Sequence, residues 1–155
     1  MDALLNKLNF KTPKSVLIVN APDEVKPMVD SIKQYAEVSV TVGDHDPVDF
    51  VICFVTRKAE IAPLVNLIIP KLNEDAVFWI CYPKGSSKRY KCDFNRDNGW
   101  EALGKFEMEP VRQVAIDDDW SALRFRSVGF IKSLKREASW VLSSEGKKRI
   151  SIQKE

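Results

Sequence analysis

Short, continuous apolar runs recur along the chain, and their spacing indicates strands that alternate with helices. The runs "SVLIV" (15–19) and "VDFVICFV" (48–55) are apolar and rich in β-branched residues, which is typical of parallel strands covered on both faces. The runs "EVSVTV" (37–42) and "AVFWICY" (76–82) predict two further strands. We expect the first two runs to lie in the centre of one sheet.

Helical signals fill the first half of the chain between these strands. Residues 2–8 predict a short helix. After the first strand, Asn20 is expected to cap a helix whose first turn contains Pro22. After the third strand, Thr56 is expected to cap a segment that two prolines divide into two short or kinked helical pieces, between residues 57 and 72.

The second half begins with one more helical signal and ends in a hairpin. Asp93 is expected to cap a helix that runs to Leu103, with Gly104 ending it. The runs "PVRQVAI" (110–116) and "SALRFRS" (121–127) then predict two strands joined by the acidic turn "DDDW". No crossover helix fits between them, so they pair antiparallel. The prediction is a single-domain Rossmann-like α/β fold, mostly parallel, with an antiparallel C-terminal hairpin.

The charge of the chain is unevenly distributed, and its C-terminal part is basic. The chain has 155 residues, 45% apolar and 30% charged, with a net charge of +2. Residues 124–155 carry nine Lys/Arg and three Asp/Glu, a surplus of six, so the preceding part carries −4. We therefore expect an α/β domain over residues 1–126 and a basic C-terminal extension over residues 127–155, either packed on that domain or trailing from it.

The apolar runs also bear on location and on metal binding. They are too short to span a bilayer, and no apolar signal core stands near the N-terminus. A cytoplasmic protein with no membrane contact is the expectation. Three cysteines without a CxxC spacing and a single histidine do not predict a metal site.

Four segments, taken in order, carry a resemblance to a known family: "VDFVICFVTRKAEI", "VFWICYPKGSSK", "DFNRD" and "DDDWSALRFR". Together they resemble the bacterial domain-of-unknown-function family 3052, over roughly residues 15–126. The resemblance implies a class I methyltransferase-like sheet, from which one strand–helix unit is missing between "EVSVTV" and "VDFVICFV". It implies no activity and no catalytic residue.

The ligand cleft of an open α/β sheet lies at the carboxyl ends of its strands. The residues expected there are Asn20, Asp44, Thr56 and Tyr82. A dinucleotide or S-adenosylmethionine site would place a glycine-rich turn after the first strand, but "NAPDEV" contains no glycine. The sequence therefore predicts no cofactor, with S-adenosylmethionine as the alternative.

The loop "YPKGSSKRYK" leaves the carboxyl end of the fourth strand and is strongly basic. It lacks the spacing of a phosphate-binding P-loop. It does supply charges and hydroxyl donors suited to an anion or to a nucleic-acid backbone, and the other interpretation is a solvated connection. The candidate anion-binding residues are Lys84, Ser86, Ser87, Lys88 and Arg89. Of these, we expect Lys84, Ser86 and Lys88 to line the mouth of the cleft.

The run "WSALRFR" alternates between two faces. Trp120, Arg124 and Arg126 share one face, where they would form a stacking and phosphate surface. The alternative, which we favour, is that the arginines pair with nearby acids, either in "DDD" (117–119) or at Glu107 or Glu109.

No complete catalytic motif appears in the chain. The sequence thus favours a non-catalytic, methyltransferase-like module that binds a small anion, a nucleic acid or a protein partner. The alternative is an S-adenosylmethionine-dependent methyltransferase with an atypical cofactor loop.

Overall fold

The computed structural model describes residues 2–43 and 47–131, which form one mixed sheet with helices on both faces. The strands are β1 Val16–Val19, β2 Val38–Ser39, β3 Val48–Phe54, β4 Leu72–Pro83, β5 Met108–Ala115 and β6 Trp120–Ser127. The helices are α1 Ala3–Lys7, α2 Lys26–Lys33, α3 Ile61–Ile68 and α4 Glu101–Gly104. Short 3₁₀ turns precede α2 and α3.

The strand order across the sheet is β2-β1-β3-β4-β6-β5. Strands β1 to β4 pair parallel, whereas β6 runs antiparallel to both β4 and β5. The predicted fold class is confirmed: the chain is a mostly parallel, Rossmann-like α/β sheet with an antiparallel C-terminal hairpin. Only residues 40–47 separate β2 from β3, too few for a further strand and crossover helix.

The central position of β1 and β3 follows from their side chains. Every residue of β1 is buried. In β3, Phe50 and Ile52 pack toward α1 and α2, whereas Val51 and Cys53 pack toward α3 and α4. Neither strand lies at an edge of the sheet, as the apolar runs predict, because a strand covered on both faces has no polar side to turn to water.

Two predicted strands have different lengths from those observed. Strand β2 pairs only over Val38–Ser39, because it is an edge strand whose single neighbour is the short β1. Strand β4 begins at Leu72, with a register shift against β3 in which Leu72 faces Val48 and Val77 faces Phe50. The extra residues between these pairs form a bulge at the start of β4.

The predicted division of the segment between β3 and β4 is found in part, with two corrections. Pro63 lies in the first turn of α3, where its missing N–H is tolerated, so it does not interrupt the helix. Pro70 lies in the 3₁₀ turn Ile69–Lys71 that ends the helical segment. Thr56 does not cap this segment, since its hydroxyl donates to the Glu60 carboxylate.

The predicted helix from Asp93 to Leu103 is wrong, because only Glu101–Gly104 is helical. Asn95 forms a side-chain turn instead, accepting hydrogen bonds from the N–H groups of Asp97 and Asn98. This local bonding competes with helix formation.

Some predictions concern residues that are not described. Asp44 lies outside the described residues, as does most of the predicted extension 127–155. That division of the chain therefore stays a prediction. Within residues 2–43 and 47–131, no helix is long and apolar enough to cross a membrane.

Candidate functional site

A polar pocket opens beside the carboxyl end of β4, on the sheet face that carries α3 and α4. Its volume is about 500 Å³. The lining comes from the end of β4, the loop that follows it, and the β5–β6 hairpin: Tyr82, Lys84, Gly85, Asn95, Arg96, Gln113, Ala115 and Ser121. The register of the hairpin brings Ala115 opposite Ser121, and Tyr82 is the partner of Ser121 on β4.

The floor of the pocket is a fixed hydrogen-bonded group. The Gln113 amide donates to the Tyr82 hydroxyl at 2.8 Å and to the Ser121 hydroxyl at 2.9 Å. Burial raises the pKa of Tyr82, so the phenol stays neutral and serves as a hydrogen-bonding group. The Tyr82 ring is held from behind by Phe94 and Trp100, at centroid distances of 5.7 and 5.4 Å.

Two cationic side chains complete the lining. Lys84 is half-buried, and its backbone N–H donates to the Asp119 carbonyl at 2.8 Å, which anchors the start of the loop. Its ammonium group forms no ion pair with any described residue. Arg96 is exposed and lies 3.4 Å from its neighbour Asp97. The pocket therefore combines the charge of Lys84 and the Arg96–Asp97 pair with a neutral polar floor.

The other candidate residues of the basic loop lie elsewhere. The Ser87 hydroxyl donates to Asp119 at 2.8 Å and accepts the N–H of Arg89. The Arg89 guanidinium lies 4.0 Å from Glu24, beside the start of α2. Ser86 and Lys88 are exposed, and neither lines the pocket.

The switch point of the sheet lies between β1 and β3, and aromatic side chains fill its α2 side. The Trp120 ring packs edge-on against Phe54, with ring centroids 5.2 Å apart, and lies tilted against Tyr90 at 4.9 Å. Both the Tyr90 hydroxyl and the Trp120 indole N–H donate to the Glu24 carboxylate, the latter at 3.0 Å. Burial acts to raise the pKa of Glu24, but these hydrogen bonds outweigh it, so its pKa is lowered.

On the α3 side of the switch point, two carboxylates accept hydrogen bonds from backbone N–H groups. Glu60 accepts the N–H groups of Thr56 and Arg57 at 2.9 and 2.8 Å. Asp93 accepts the N–H of Lys58 at 2.6 Å. Three N–H donors ahead of α3, which an external anion would otherwise accept, are thus bonded within the chain. Asp93 therefore stabilises this turn and does not cap a helix of its own.

The turn after β1 corrects one prediction. Asn20 adopts a left-handed conformation with φ +60°, a region that asparagine tolerates better than most residues. The chain thus makes a sharp turn here without glycine, and Asn20 is not a helix cap. The following 3₁₀ turn begins at Asp23, after Pro22.

The sequence leaves S-adenosylmethionine as an alternative ligand, but the described residues at the switch point do not fit such a cofactor. The aromatic pair Tyr90 and Trp120, together with Glu24, fills one side, and two carboxylates hold the helix N-terminus on the other. A smaller pocket of about 340 Å³ lies next to the second side, lined by Arg57, Lys91, Cys92 and Asp93.

Of the residues that line the larger pocket, the sequence predicts only Tyr82 and Lys84 as site residues, and it misses the polar members Asn95, Arg96 and Gln113. Asn95 lies in the segment where the sequence predicts a helix. Gln113 carried a usable signal, because it is a polar residue on the same face of β5 as Ala115, opposite the apolar Leu123. Within the described parts of the chain, no group of three His, Cys, Asp or Glu residues could hold a metal ion.

Comparison with known proteins gives structural neighbours only. No family model matches the chain, and no curated protein matches it, so the family resemblance stays a prediction. The N-methyltransferase NodS of Bradyrhizobium japonicum has a TM-score of 0.48 at 11% identity, covering 80% of this chain and 92% of its own. The M1A22 tRNA methyltransferase TrmK of B. subtilis has a TM-score of 0.47 at 8% identity, covering 99% and 82%.

A further solved structure of NodS is a complex with S-adenosyl-l-homocysteine, with a TM-score of 0.46 at 10% identity, covering 81% of this chain and 83% of its own. These likenesses give no correspondence between individual residues. The fold class stands on the strand order of this chain.

Proposed function

We propose that this chain is a non-catalytic binding module that holds a small anion in the pocket at the carboxyl end of β4. The observation that carries the proposal is that Lys84 and Arg96 both line one pocket of about 500 Å³, whose floor is neutral. The carboxylates Glu24, Glu60 and Asp93 are bonded elsewhere. The Asp97 carboxylate forms an exposed pair with Arg96, and exposed pairs of this kind contribute little.

The chemistry of the lining favours a ligand with a phosphate or carboxylate group. Lysine acts as a point charge and arginine as a planar fork, and both bind such oxyanions. Gln113 orients the Tyr82 and Ser121 hydroxyls, which supply neutral hydrogen bonds to the uncharged part of a ligand. Burial raises the pKa of Tyr82, so at neutral pH its phenol offers a ligand a neutral hydrogen-bonding group.

Calorimetric titration with inorganic phosphate and with adenosine monophosphate tests the proposal. We expect binding that weakens as salt rises, because the charges are partly exposed. Lys84→Ala should weaken it by roughly tenfold, the value of one charge-assisted hydrogen bond, and Lys84→Ala with Arg96→Ala should abolish it. Lys88→Ala removes the same charge from the same loop but outside the pocket, so it should bind like the wild type.

Two results would overturn the proposal. One is the absence of salt-sensitive affinity for either anion in the wild type. The other is an equal loss in the Lys84→Ala and Lys88→Ala variants, which would indicate a diffuse effect of loop charge. Titration with S-adenosylmethionine is the companion measurement, since micromolar binding would favour the methyltransferase alternative over this module.

A further inference from the structure

A row of arginines lies on the opposite face of the sheet from the pocket. Arg124 is the direct cross-strand partner of Arg112, and Arg126 lies two residues further along β6, on the same face as Arg124. A register shift between Pro110 and Arg112 makes Val111 an extra residue. Bulges of this kind re-aim the side chains that follow, and here the bulge places two like charges directly opposite each other.

Among the described acids near this row, Asp75 forms hydrogen bonds with Arg126 only, although its charge also acts on Arg124. Asp75 binds Arg126 through two hydrogen bonds of 2.8 and 2.7 Å. Glu109 is buried and is the cross-strand partner of the same arginine. Arg112 and Arg124 form no hydrogen bond or ion pair with any described residue.

Of these three arginines, Arg124 lies in the surroundings that most favour a bound anion. Its Nε atom is buried and has no hydrogen-bond partner, and a buried donor without a partner is costly. Burial lowers the pKa of Arg124, as do the charge of Arg126 and, to a smaller extent, that of Arg112, whereas the charge of Asp75 raises it. Like charges directly opposite in a sheet also destabilise it, so the arrangement lowers stability unless an anion joins it.

We infer that Arg112 and Arg124 form a second anion site, which binds a phosphate-type oxyanion across the β5–β6 pair. Arg112 and Arg124 are cross-strand partners, and each guanidinium group is a planar fork of N–H donors that phosphate oxygens accept. Arg112 is exposed and lies on β5, the edge strand of the sheet, so a free phosphate or a phosphodiester can approach from the side. Trp120 takes no part, because it is buried between Phe54 and Tyr90.

The test follows the arginine Nε–Hε signals by ¹⁵N-edited NMR during titration with inorganic phosphate. We expect the Arg124 signal to shift, and Arg112→Gln or Arg124→Gln to weaken phosphate binding at this site by about tenfold or more. Arg89→Gln is the matched control, since Arg89 is an exposed arginine on the loop after β4 and lies 4.0 Å from the Glu24 carboxylate. The site is not there if the Arg124 signal stays unmoved, or if the control weakens binding as much.

Melting temperatures give a second readout, because removing Arg112 and adding phosphate should each relieve the same repulsion between like charges. In phosphate-free buffer, Arg112→Gln should melt at or above the wild-type temperature, because it removes a like-charge pair. Added phosphate should raise the melting temperature of the wild type but not that of Arg112→Gln. A marked loss of stability in phosphate-free buffer would show that Arg112 has a structural role, which contradicts the inference.

This site is independent of the pocket in the proposed function, and one variant separates the two. In Lys84→Ala with Arg96→Ala, the Arg124 signal should still shift with phosphate even if binding in the pocket is lost. Titration with a short single-stranded oligonucleotide compares the two sources of phosphate. A shift with the oligonucleotide at lower concentration than with free phosphate assigns the site to a nucleic-acid backbone, and the reverse assigns it to a small ligand.

Discussion

Replacing Asp75 with asparagine is expected to destabilise the protein by about 2 kcal/mol. The Asp75 carboxylate ties the start of β4 to the end of β6 through two hydrogen bonds to Arg126, and the two side chains are 29% and 33% exposed. Exposed ion pairs contribute about 0–1 kcal/mol, whereas removing one partner of a buried pair costs about 3–5 kcal/mol. A pair exposed by about a third lies between these limits.

Asparagine is the right replacement because of the backbone. Asp75 has φ +52°, a left-handed conformation that asparagine accepts almost as well as aspartate. Alanine would add backbone strain to the loss of the ion pair. Asp118→Asn serves as the control, since Asp118 is exposed in the hairpin turn and should change stability by less than about 0.5 kcal/mol.

Urea unfolding monitored by tryptophan fluorescence measures the effect, and a fall of about 4–8 °C in melting temperature should accompany it. The hydrogen bonds from Arg126 lower the pKa of Asp75. The stabilisation is therefore present above the unfolded pKa of about 4 and is lost as pH falls through the lower folded value. The difference between wild type and Asp75→Asn should shrink over that range. A difference below about 0.5 kcal/mol at neutral pH would refute the reasoning.

Two further predictions concern a glycine and the buried thiols. Gly99→Ala should destabilise the protein by about 2 kcal/mol or more, measured by chemical denaturation, because φ is +97° and a new Cβ would lie 2.7 Å from the Phe94 Cβ. Gly129→Ala is the control: a Cβ added at Gly129 would have no atom within 4 Å, so this variant should change stability little. Cys53 and Cys81 are unpaired and fully buried, and burial raises the pKa of both thiols. A thiol reagent should therefore label them only as fast as the protein unfolds. Rapid labelling of either cysteine under native conditions would contradict their place in the core.

The parts of the fold that the sequence predicts well are those determined by local pattern. The runs at β1 and β3 identify central strands because both of their faces are apolar. The hairpin follows from alternation and a tight turn, and the two faces of β6 separate as expected, with Leu123 and Phe125 on one side and Trp120 and Ala122 on the other.

The parts that the sequence does not predict depend on distant partners. The bulge at the start of β4 is held by Arg126, which is 51 positions away. Asp93 has the local signature of a helix cap, but its carboxylate bonds the N–H of Lys58, 35 positions away. The basic loop reads as one cluster, yet its residues divide between two faces of the sheet, because Tyr90 packs on Trp120 while Lys84 stays beside Tyr82.

The position of β6 has a consequence for how the chain folds. It is the last of the described strands in the chain, yet it lies between β4 and β5. Until synthesis reaches Ser127, the β4 segment Phe78–Pro83 has no partner on that side and presents an open apolar edge, the kind of surface that pairs with other chains. Once β6 is made, the hairpin can form locally within microseconds and dock as a unit. A nascent chain stalled between β5 and β6 should therefore be the form most prone to aggregation and to capture by chaperones.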